Sequence, residues 1–386
     1  MLHTLAVENY RSLRNIVIPL GRLNVIQGPN GAGKSNLYKA LRLLADTATG
    51  GIVSSLAREG GLHSTFWAGP EKLSRDMRAG RVPVQGTMRQ EPVRLKLGFA
   101  GDNFGYAITM GLPAPSDSAF SLDPEIKREC IWLGPLCQPG SMLVDRHGPQ
   151  VRARTEKGWQ TLSEGLRLFE SIFVQIADPQ TAPEVLMLRE MIRGWRFYDQ
   201  LRTDADAPCR MPKLGTCTPV LDHDGSDLAA AIQTIIELGD PDAVATAIDE
   251  AFPGARVQIA KQSDGRFTIE FHQPGLLRPL NGAELSDGTL RFLLWLAALL
   301  TPRPPSMMVL NEPETSLHPD LIPALAQLIM SASEKTQVWV VTHSPALISA
   351  LQNSPETKVI ELMKELGQTH VNAAPAFSRP PWRWVE

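Results

Sequence analysis

The chain has 386 residues, of which 43% are apolar and 20% are charged. This composition predicts one large or two ordinary globular domains with a sizeable core. The net charge of −3 at pH 7 excludes an overall basic surface, so nucleic acid would have to be bound through a local patch or through a partner. The four cysteines lack C-x-x-C spacing, so the sequence indicates neither a zinc knuckle nor a disulfide framework.

Two stretches bear on the location of the protein. The N-terminal sequence MLHTLAVENYRS lacks a basic segment followed by an apolar one, which argues against a signal peptide. The longest apolar run, FLLWLAALL, is too short to cross a bilayer as a helix. We therefore expect a cytoplasmic protein with no membrane partner.

The beginning of the chain alternates between apolar strands and a helix. Residues 3–10, 15–20 and 22–27 have the pattern of β-strands, and residues 35–46 have helical periodicity. Residues 47–92 are rich in glycine and arginine and have weak periodicity, so we expect loops with short helices there.

The rest of the chain is mixed in the middle and returns to α/β alternation near its end. From Leu285 onward we expect a helix, the strand 306–311, a helix after Pro319, a strand, a helix after Pro345 and a last strand. The predicted elements before that point are a hairpin over 92–112, a linker over 112–124, strands over 126–133 and 142–155, helices over 184–201 and 226–238, and a hairpin over 255–273 that turns at Asp264 and Gly265.

A glycine-rich motif lies between the third predicted strand and the first predicted helix. The sequence GPNGAGKS, Gly28 to Ser35, matches G-x-x-x-x-G-K-S, in which glycines let backbone N–H groups turn towards phosphate oxygens. The start of the helix adds partial positive charge. In such a loop Lys34 can reach the β- and γ-phosphates, and the Ser35 hydroxyl can bind Mg²⁺. The alternative is a chance glycine turn, but the flanking strand and helix favour a nucleotide-binding P-loop.

A second candidate anion site is the segment 285–289, Leu-Ser-Asp-Gly-Thr. It starts an apolar helix with a serine hydroxyl and a glycine amide, an arrangement that can bind an anion. Serine is also an ordinary helix N-cap. Taken alone, the segment is better explained as the capped start of a core helix.

Two apolar strands near the C-terminus end in polar residues. The strand 306–311 ends in Asn311 and Glu312, and the next strand ends at His343. Glu312 is placed to orient and deprotonate a water molecule that attacks a γ-phosphate. His343 taken alone would be interpreted as a structural residue.

The order of these segments closely resembles that of the ATP-binding-cassette (ABC) ATPases, and more narrowly of their RecF/SMC/OLD branch. The sequence VENYRSLRNIVIPLGRLNVIQGPNGAGKSNLYKAL resembles the opening of that branch, as ELSDGTLRFL, NEPETSLHP and VVTHSP resemble its later motifs. The resemblance implies an α/β fold of the P-loop NTPase, ABC-ATPase type, split by an α+β insertion. It divides the chain into an N-terminal ATPase lobe (1–115), the insertion (116–272) and a C-terminal ATPase lobe (273–386).

The resemblance also implies roles for single residues. Glu312 would be the catalytic base, His343 would sense the γ-phosphate, and Lys34 would hold it. Mg²⁺ would be held by Ser35 and Asn311. The residues that would bind ATP are Arg11, Ser12, Gly28, Pro29, Asn30, Gly31, Ala32, Gly33, Lys34, Ser35, Asn36, Ser286, Gly288 and Ser316.

The resemblance further implies a homodimer in which two ATP molecules are sandwiched head to tail. Ser286 and Gly288 would contact the γ-phosphate of the second subunit's nucleotide, while Ser316 and His318 would lie in the D-loop at that interface. The glutamine of the Q-loop stays open, because Gln85 and Gln90 both remain candidates.

Asn311 departs from the family, which usually has an aspartate at this position. An asparagine carbonyl can accept a hydrogen bond from metal-bound water but carries no charge. Charge-assisted hydrogen bonds are roughly twice as strong as neutral ones. We therefore expect weaker retention of Mg²⁺ and a slow ATPase with an intact base.

Three functions compete. The first is an ATPase that acts on DNA in repair, maintenance or phage defence, the second is a transporter's nucleotide-binding subunit, and the third is an ATP-dependent switch in which Asn311 limits turnover. The long interruption between the P-loop and the segment 285–289 argues against the second. The signal for DNA is a basic run that is more often a solvated face, namely Lys72, Arg75, Arg78, Arg81, Arg89, Arg94 and Lys96.

Several family features are not found. The tail after His343 is too short for the nuclease domain of OLD proteins, so a nuclease would have to come from a partner protein encoded nearby. No heptads predict the coiled-coil arms of SMC proteins. The stretch LDHDGSD, 221–227, suggests turn and cap residues more than a metal site. The C-terminal RPPWRWVE is either a docking tail or part of the core.

Overall fold

The structure, a computed structural model, describes residues 1–70, 74–79, 81–83, 92–199, 201–372 and 380–385. The chain forms two compact units. Unit 1 comprises Met1–Leu20, Gln27–Gly194 and Ile360–Glu386, and unit 2 comprises Gly21–Ile26 and Trp195–Val359. The boundaries of these units differ from those of the three lobes expected from the sequence, 1–115, 116–272 and 273–386. The division into three lobes remains a prediction.

The secondary structure is as follows. The strands are β1 (Leu2–Tyr10), β2 (Leu13–Pro19), β3 (Leu23–Gln27), β4 (Leu95–Gly101), β5 (Phe104–Gly111), β6 (Glu125–Leu133), β7 (Met142–His147), β8 (Gln150–Thr155), β9 (Gly158–Ser163), β10 (Arg196–Tyr198), β11 (Lys213–Leu214), β12 (Arg256–Lys261), β13 (Arg266–His272), β14 (Leu280–Asn281), β15 (Met307–Asn311), β16 (Gln337–Val341), β17 (Thr357–Glu365) and β18 (Gln368–Asn372). The helices are α1 (Lys34–Thr47), α2 (Ile52–Arg58), α3 (Leu62–Thr65), α4 (Arg75–Arg78), α5 (Ile172–Gln175), α6 (Pro183–Arg193), α7 (Leu228–Leu238), α8 (Pro241–Ala251), α9 (Asp287–Leu299), α10 (Ile322–Ser333) and α11 (Pro345–Leu351), with 3₁₀ turns at Pro208–Arg210 and Pro319–Leu321.

Unit 1 is built on an eight-stranded antiparallel sheet in the order β2-β1-β4-β5-β6-β7-β8-β9. The helix α1 buries Leu37, Leu41 and Leu44 on one face, as expected for an amphipathic helix on a core. Residues 125–163 continue the same sheet, so strands from the predicted insertion complete the architecture of unit 1.

A buried ion pair joins the neighbouring strands β6 and β7 of this sheet. Glu129 and Arg146 are both fully buried, with Oε2 and Nη1 3.0 Å apart. The remaining oxygen of Glu129 accepts hydrogen bonds from the Tyr106 hydroxyl at 2.6 Å and the Ser171 hydroxyl at 2.5 Å. Burial, followed by the charge of Glu129, raises the pKa of Tyr106 far above its ordinary value. Buried charges need such full pairing, so the cluster specifies how this part of the sheet closes.

The C-terminal tail packs on unit 1. The Trp382 ring lies edge-on to Trp132, with centroids 5.6 Å apart, and to Trp384 at 5.2 Å. The Lys96 ammonium lies 5.7 Å from the centre of the Trp384 ring. Of the two alternatives for RPPWRWVE, the described residues 380–385 favour packing on the core.

Unit 2 contains a parallel sheet in the order β10-β15-β16-β3. The strands β15 and β16 are apolar except for Asn311 and Gln337, and all of their residues except Asn311 are buried. Parallel strands covered on both faces have this pattern. Their carboxyl ends meet at one edge of the sheet, where polar residues follow each strand.

A smaller antiparallel sheet completes unit 2, with β13 between β11 and β12 and with β14 also paired to β13. The turn between β12 and β13 closes at Gly265, whose φ is 82°. Phe271 from this sheet packs edge-on against Phe252, which also meets Phe292 of α9. The small sheet and the start of α9 therefore share one core.

Most of the elements expected from the sequence are confirmed, including the early strands, both hairpins and the final α/β alternation. The helix predicted over 184–201 is partly wrong, because it ends at Arg193 and residues 196–198 form β10. Gly194 follows the helix, and the backbone of Arg196–Tyr198 pairs with β15, so pairing in the sheet prevails over local helical periodicity. The strand β18 was not expected; Leu366 and Gly367 have φ of 48° and 81° and make the tight turn that returns it along β17.

Candidate functional site

The P-loop of unit 1 follows β3 and leads into α1. Gly28, Gly31 and Gly33 have φ of 149°, 77° and 109°, a conformation that residues with a side chain rarely adopt. Gly33 is the N-cap of α1 and provides no side-chain cap. The first N–H groups of a helix have no partner within it, so this end of α1 suits an anion.

Two of the three glycines are required by close neighbours. A Cβ added at Gly28 would lie 2.3 Å from the Leu362 carbonyl oxygen, and one added at Gly33 would lie 2.2 Å from Thr369 Oγ1. A Cβ at Gly31 would meet nothing within 4 Å. The hairpin formed by β17 and β18 therefore lies directly against the P-loop, and Gly31 lies on its open side.

The ammonium group of Lys34 is hydrogen-bonded to the backbone of the P-loop itself. Lys34 is 6% exposed, and its Nζ donates to the carbonyl oxygens of Gly28 at 2.5 Å and Pro29 at 3.1 Å. Ser35 and Asn30 are exposed, whereas Ala32 is buried. The loop thus offers a fixed ammonium, backbone N–H groups and a serine hydroxyl, which is the set of groups that a triphosphate with Mg²⁺ requires.

A chain of hydrogen bonds holds the P-loop from behind. Asn36 Nδ2 donates to Ser12 Oγ at 2.7 Å, Ser12 Oγ lies 2.7 Å from Thr369 Oγ1, and Thr369 Oγ1 donates to the Ala32 carbonyl at 2.8 Å. Each hydroxyl has a single proton, so Ser12 must donate to Thr369. Ser12, predicted to bind ATP, therefore has its hydroxyl engaged in supporting the loop.

Arg11, the other residue predicted ahead of the P-loop, pairs with an acid. Its Nη2 lies 3.0 Å from Glu59 Oε2, to which the Tyr10 hydroxyl also donates at 2.7 Å. Burial of the phenol, followed by the neighbouring Glu59, raises the pKa of Tyr10 far above its ordinary value. Arg11 has a φ of 49°, so its backbone as well as its charge is constrained.

In unit 2, the ends of β15 and β16 carry further residues that the sequence predicts to be functional. Asn311 pairs in register with Val341, and the Glu312 N–H donates to the Val341 carbonyl at 2.7 Å. Glu312 has a φ of 49°. Such strain in a residue other than glycine costs of order 1–3 kcal/mol and concentrates at functional sites.

Glu312 and His343 contact each other. Glu312 Oε1 lies 3.0 Å from His343 Nε2, and the two side chains are 44% and 40% exposed. A carboxylate oriented by a histidine at the edge of a parallel sheet can accept a proton from a water molecule. The structure thus brings together two of the three residues predicted to be catalytic; Lys34 belongs to unit 1.

Glu314 organises the loop that carries His343. Its Oε1 accepts hydrogen bonds from the Thr342 hydroxyl at 2.5 Å, the His343 N–H at 3.0 Å and the Ser344 N–H at 3.1 Å. Its Oε2 is buried and has no hydrogen-bond partner among the described residues. One carboxylate oxygen therefore fixes the backbone on both sides of His343.

The segment 285–289 begins α9 as a capped helix. Ser286 accepts a hydrogen bond from the Thr289 N–H at 3.1 Å. A Cβ added at Gly288 would lie 3.0 Å from the Ser316 carbonyl oxygen, so this segment lies against the D-loop, where Ser316 has a φ of 66°. His318 accepts from the Asp320 N–H at 3.3 Å and starts the 3₁₀ turn. Ser286, Gly288 and Ser316 thus form one continuous surface of unit 2.

Some predicted residues lie outside the described part of the chain, namely Gln85, Gln90, Lys72 and Arg89. Two other cations of the basic run are paired with acids. Arg81 lies 3.4 Å from Asp76 and Lys96 lies 3.2 Å from Glu8. These pairs reduce the positive charge that the run offers to DNA.

The carboxylates of the LDHDGSD stretch accept hydrogen bonds from backbone N–H groups of the same turn. Asp227 accepts from the Asp222 N–H at 3.1 Å, and Asp224 accepts from the Ser226 N–H at 2.9 Å. Within the described ranges, no cluster of three or more His, Cys, Asp or Glu side chains is placed to hold a metal ion. The interpretation as turn residues agrees with this geometry.

Sequence reasoning did not find three of the residues described above. Thr369 and Glu59 are far from the P-loop along the chain and carry no motif of their own. Glu314 lies within the motif that contains Asn311. The signal that could have identified it was an acid at this position, followed later by a strand that ends in Thr-His. Only the fold shows that this acid binds the backbone around His343.

Two family models match the chain. Residues 1–66 match a family described as "AAA ATPase domain", and residues 218–349 match one described as "AAA domain, putative AbiEii toxin, Type IV TA system". The first contains the P-loop, and the second contains Ser286, Glu312 and His343. These matches support ATP binding and hydrolysis.

Known proteins are similar to this chain in a short stretch of sequence or in fold. An OLD nuclease from Thermus scotoductus is 50% identical over 44 residues, which are 11% of this chain and 8% of that protein. An SMC head crystallised with the C-winged helix domain of ScpA has a TM-score of 0.51 at 14% identity, covering 97% of this chain and 98% of its own. The SMC head domain from Thermotoga maritima scores 0.47 at 15% identity, covering 97% and 99%.

Residues 1–66 and 218–349 therefore match AAA ATPase domain families, and the chain has the α/β P-loop NTPase fold of the SMC head. This confirms the resemblance and the fold class expected from the sequence. None of the described helices combines the length and the apolar character needed to cross a membrane.

Proposed function

We propose that the protein binds ATP at its P-loop and hydrolyses it slowly, with Glu312 as the base. The observation that carries this proposal is the contact between Glu312 and His343, 3.0 Å apart at the edge of the parallel sheet. Lys34 holds the phosphates, and His343 orients the carboxylate and senses the γ-phosphate. Proton transfer by a positioned side chain contributes about 10²–10⁴-fold to a rate.

The chain has groups that fit Mg²⁺. Ser35 is exposed beside the buried Lys34, and Asn311 is half-buried at the end of β15; both supply the oxygen atoms that Mg²⁺ prefers. When bound, the ion would neutralise charge that develops on the phosphates. Asn311 supplies a neutral oxygen, so we propose a raised Mg²⁺ requirement.

We further propose that the site is completed by a homodimer that sandwiches two ATP molecules. Ser286 is exposed at the start of α9, and Gly288 and Ser316 lie beside it. This surface supplies the contacts to the γ-phosphate of the other subunit's nucleotide. The similarity to SMC and OLD proteins supports a role in DNA repair, DNA maintenance or phage defence in the cytoplasm.

Steady-state ATP turnover as a function of protein concentration tests this proposal. We expect a rate per subunit that rises with concentration and falls by about 10²–10⁴-fold in Glu312→Gln. A rate that does not depend on concentration would contradict the ATP sandwich. Added duplex DNA should raise the rate, and an unchanged rate would contradict direct action on DNA.

The role of Asn311 is tested by Asn311→Asp. Restoring the charge should lower the Mg²⁺ concentration at half-maximal rate by about 10-fold, the size of effect that supporting metal contacts have. An unchanged Mg²⁺ dependence would contradict the account of a weakened metal site.

The alternative function is an ATP-dependent switch with little hydrolysis. Asn311 is the observation that favours it, because a weakened Mg²⁺ site lowers turnover without removing the P-loop. Wild-type protein that binds ATP and dimerises without measurable turnover would favour this alternative. The transporter subunit is the least supported of the three functions.

A further inference from the structure

A buried arginine of unit 2 lies outside every motif discussed so far. Arg210 ends the 3₁₀ turn Pro208–Arg210, and its side chain is 7% exposed. Its guanidinium donates to the Thr203 carbonyl from Nη2 at 2.7 Å and to the Asp204 carbonyl from Nε at 3.0 Å. One side of Arg210 is therefore anchored to the loop that precedes its own turn.

The other side of the guanidinium holds the loop before α9. Nη1 donates to the carbonyl oxygens of Gly282 at 3.1 Å and Leu285 at 2.7 Å. A Cβ at Gly282 would lie 3.1 Å from the Arg210 carbonyl oxygen, so the two backbones approach closely. The planar fork of an arginine suits such multiple contacts, whereas a lysine supplies a single point of charge.

Arg210 also pairs with the acid next to Ser286. Nη2 lies 2.6 Å from Asp287 Oδ1, and the Asp287 side chain is 58% exposed. Ser286 lies between Leu285 and Asp287, both of which Arg210 contacts. The arginine thus fixes the residues on both sides of the serine that caps α9.

The negative charge of Asp287 has opposite effects on helix α9 and on a phosphate that approaches the start of this helix. A carboxylate in the first turn of a helix is favourable for the helix itself. The same carboxylate repels a phosphate anion that approaches Ser286 and Gly288 on either side of it. An arginine stays charged at all working pH values, so Arg210 neutralises Asp287 and directs its carboxylate into the ion pair.

We propose that Arg210 is the positioning residue of the 285–289 segment, holding Leu285 and Asp287 so that Ser286 and Gly288 can accept the γ-phosphate bound by a second copy of the chain. This inference rests on the proposed ATP sandwich. Arg210 itself contacts no substrate. Its electrostatic effect on Asp287 distinguishes it from an arginine that only fills the core.

The test uses the Glu312→Gln protein, in which bound ATP should persist if Glu312 is the base, and measures ATP-dependent dimerisation by analytical ultracentrifugation. In that parent, Arg210→Gln should weaken dimerisation by about 10-fold or more, as expected for losing a close charge pair at an interface site. ATP binding to the P-loop of the monomer, measured with a fluorescent ATP analogue at low protein concentration, should be unchanged.

The double variant Arg210→Gln/Asp287→Asn separates charge from structure. If Arg210 neutralises Asp287, removing the acid should restore about 3-fold or more of the lost dimerisation, since interacting residues give non-additive effects. If the arginine only supports the fold, the double variant should be as weak as Arg210→Gln or weaker. That result would overturn the proposal.

Arg202→Gln is the matched control. Arg202 also pairs with an aspartate, Asp204 at 2.6 Å, but is exposed and does not contact the loop before α9. It should leave dimerisation unchanged. Should Arg210→Gln fail to fold, Arg210→Lys keeps the charge with fewer contacts and should show a smaller loss that Asp287→Asn does not restore.

The outcomes separate the two proposals. If the Glu312→Gln parent does not dimerise with ATP, the ATP sandwich is wrong and this inference is wrong with it. If the parent dimerises and Arg210→Gln dimerises equally well, the role of Arg210 is wrong and the ATP sandwich stands.

Discussion

The P-loop of unit 1 is supported by neutral groups, whereas the 285–289 segment of unit 2 is supported by a buried charge. Behind the P-loop, Asn36, Ser12 and Thr369 form a chain of neutral hydrogen bonds that ends on the Ala32 carbonyl. Behind the 285–289 segment, Arg210 donates to carbonyl oxygens and to a carboxylate.

The difference follows from what each loop contains. The P-loop carries its own cation, Lys34, so a further charge behind it is not needed to attract phosphate. The other segment carries an acid, Asp287, and needs a cation to offset it. The comparison teaches that two proposed phosphate-binding loops in one chain can have opposite electrostatic support, and variants in each support can test it.

We expect the largest effect at Gly33, where Thr369 of the neutral hydrogen-bond chain leaves no space for a side chain. Gly33→Ala would place a Cβ 2.2 Å from Thr369 Oγ1 at a φ of +109°. We expect a loss of roughly 2–4 kcal/mol in stability, since strained backbone and core overpacking add, and loss of ATP binding. Thermal unfolding and nucleotide titration measure the two effects.

Gly31→Ala is the matched control for Gly33→Ala. Gly31 also has a positive φ, 77°, but an added Cβ would have open space. We expect only the left-handed backbone penalty, about 1–2 kcal/mol. Equal losses in the two variants would show that contact with β18 does not support the P-loop.

A charged support in unit 2 should show an intermediate effect. Glu314→Ala removes the acceptor for Thr342, His343 and Ser344. Unpaired donors cost about 1–3 kcal/mol, and misplacement of His343 should lower ATP turnover while ATP binding persists. Glu314→Gln keeps a carbonyl acceptor and should lose less of both. Turnover equal to wild type in Glu314→Ala would contradict the role of this loop.

The neutral chain behind the P-loop should show a smaller effect. Ser12→Ala and Thr369→Val each remove a hydroxyl from the chain, and each should cost about 1 kcal/mol. Because the two hydroxyls contact each other, the double variant should cost less than the sum. Chemical denaturation of the four proteins forms a double-mutant cycle, and strict additivity would show that the hydroxyls act independently.

The smallest effect is expected from chemical labelling of Cys209, the residue next to Arg210 in the chain. Burial raises the pKa of the Cys209 thiol to about 11, and the thiolate is the reactive form. Labelling of Cys209 should therefore be slow at pH 8 and increase as the pH rises towards 11, whereas the exposed Cys217 labels quickly. Mass spectrometry locates the labels, with unfolded protein as the control. Fast labelling of Cys209 at pH 8 would contradict its burial beside Arg210.

The sequence by itself determined the P-loop, the order of the ATPase motifs and most strands and helices. These features depend on contacts between near neighbours: glycine conformations, helix starts and apolar runs are all local. The sequence indicated that Glu312 and His343 each follow an apolar strand, whereas their proximity came from the pairing of β15 with β16. Asn311 was visible as a departure from the family from the beginning.

Only the tertiary structure decided which residues support these motifs. Thr369 reaches Ala32, Glu314 reaches the backbone around His343, and Arg210 reaches Asp287 across long separations in sequence. It also decided that residues 196–198 are a strand, because pairing with β15 outweighs the helical pattern. Long-range hydrogen bonds of this kind leave no periodic signal in the chain, since a single polar residue looks the same whether it faces water or a distant loop.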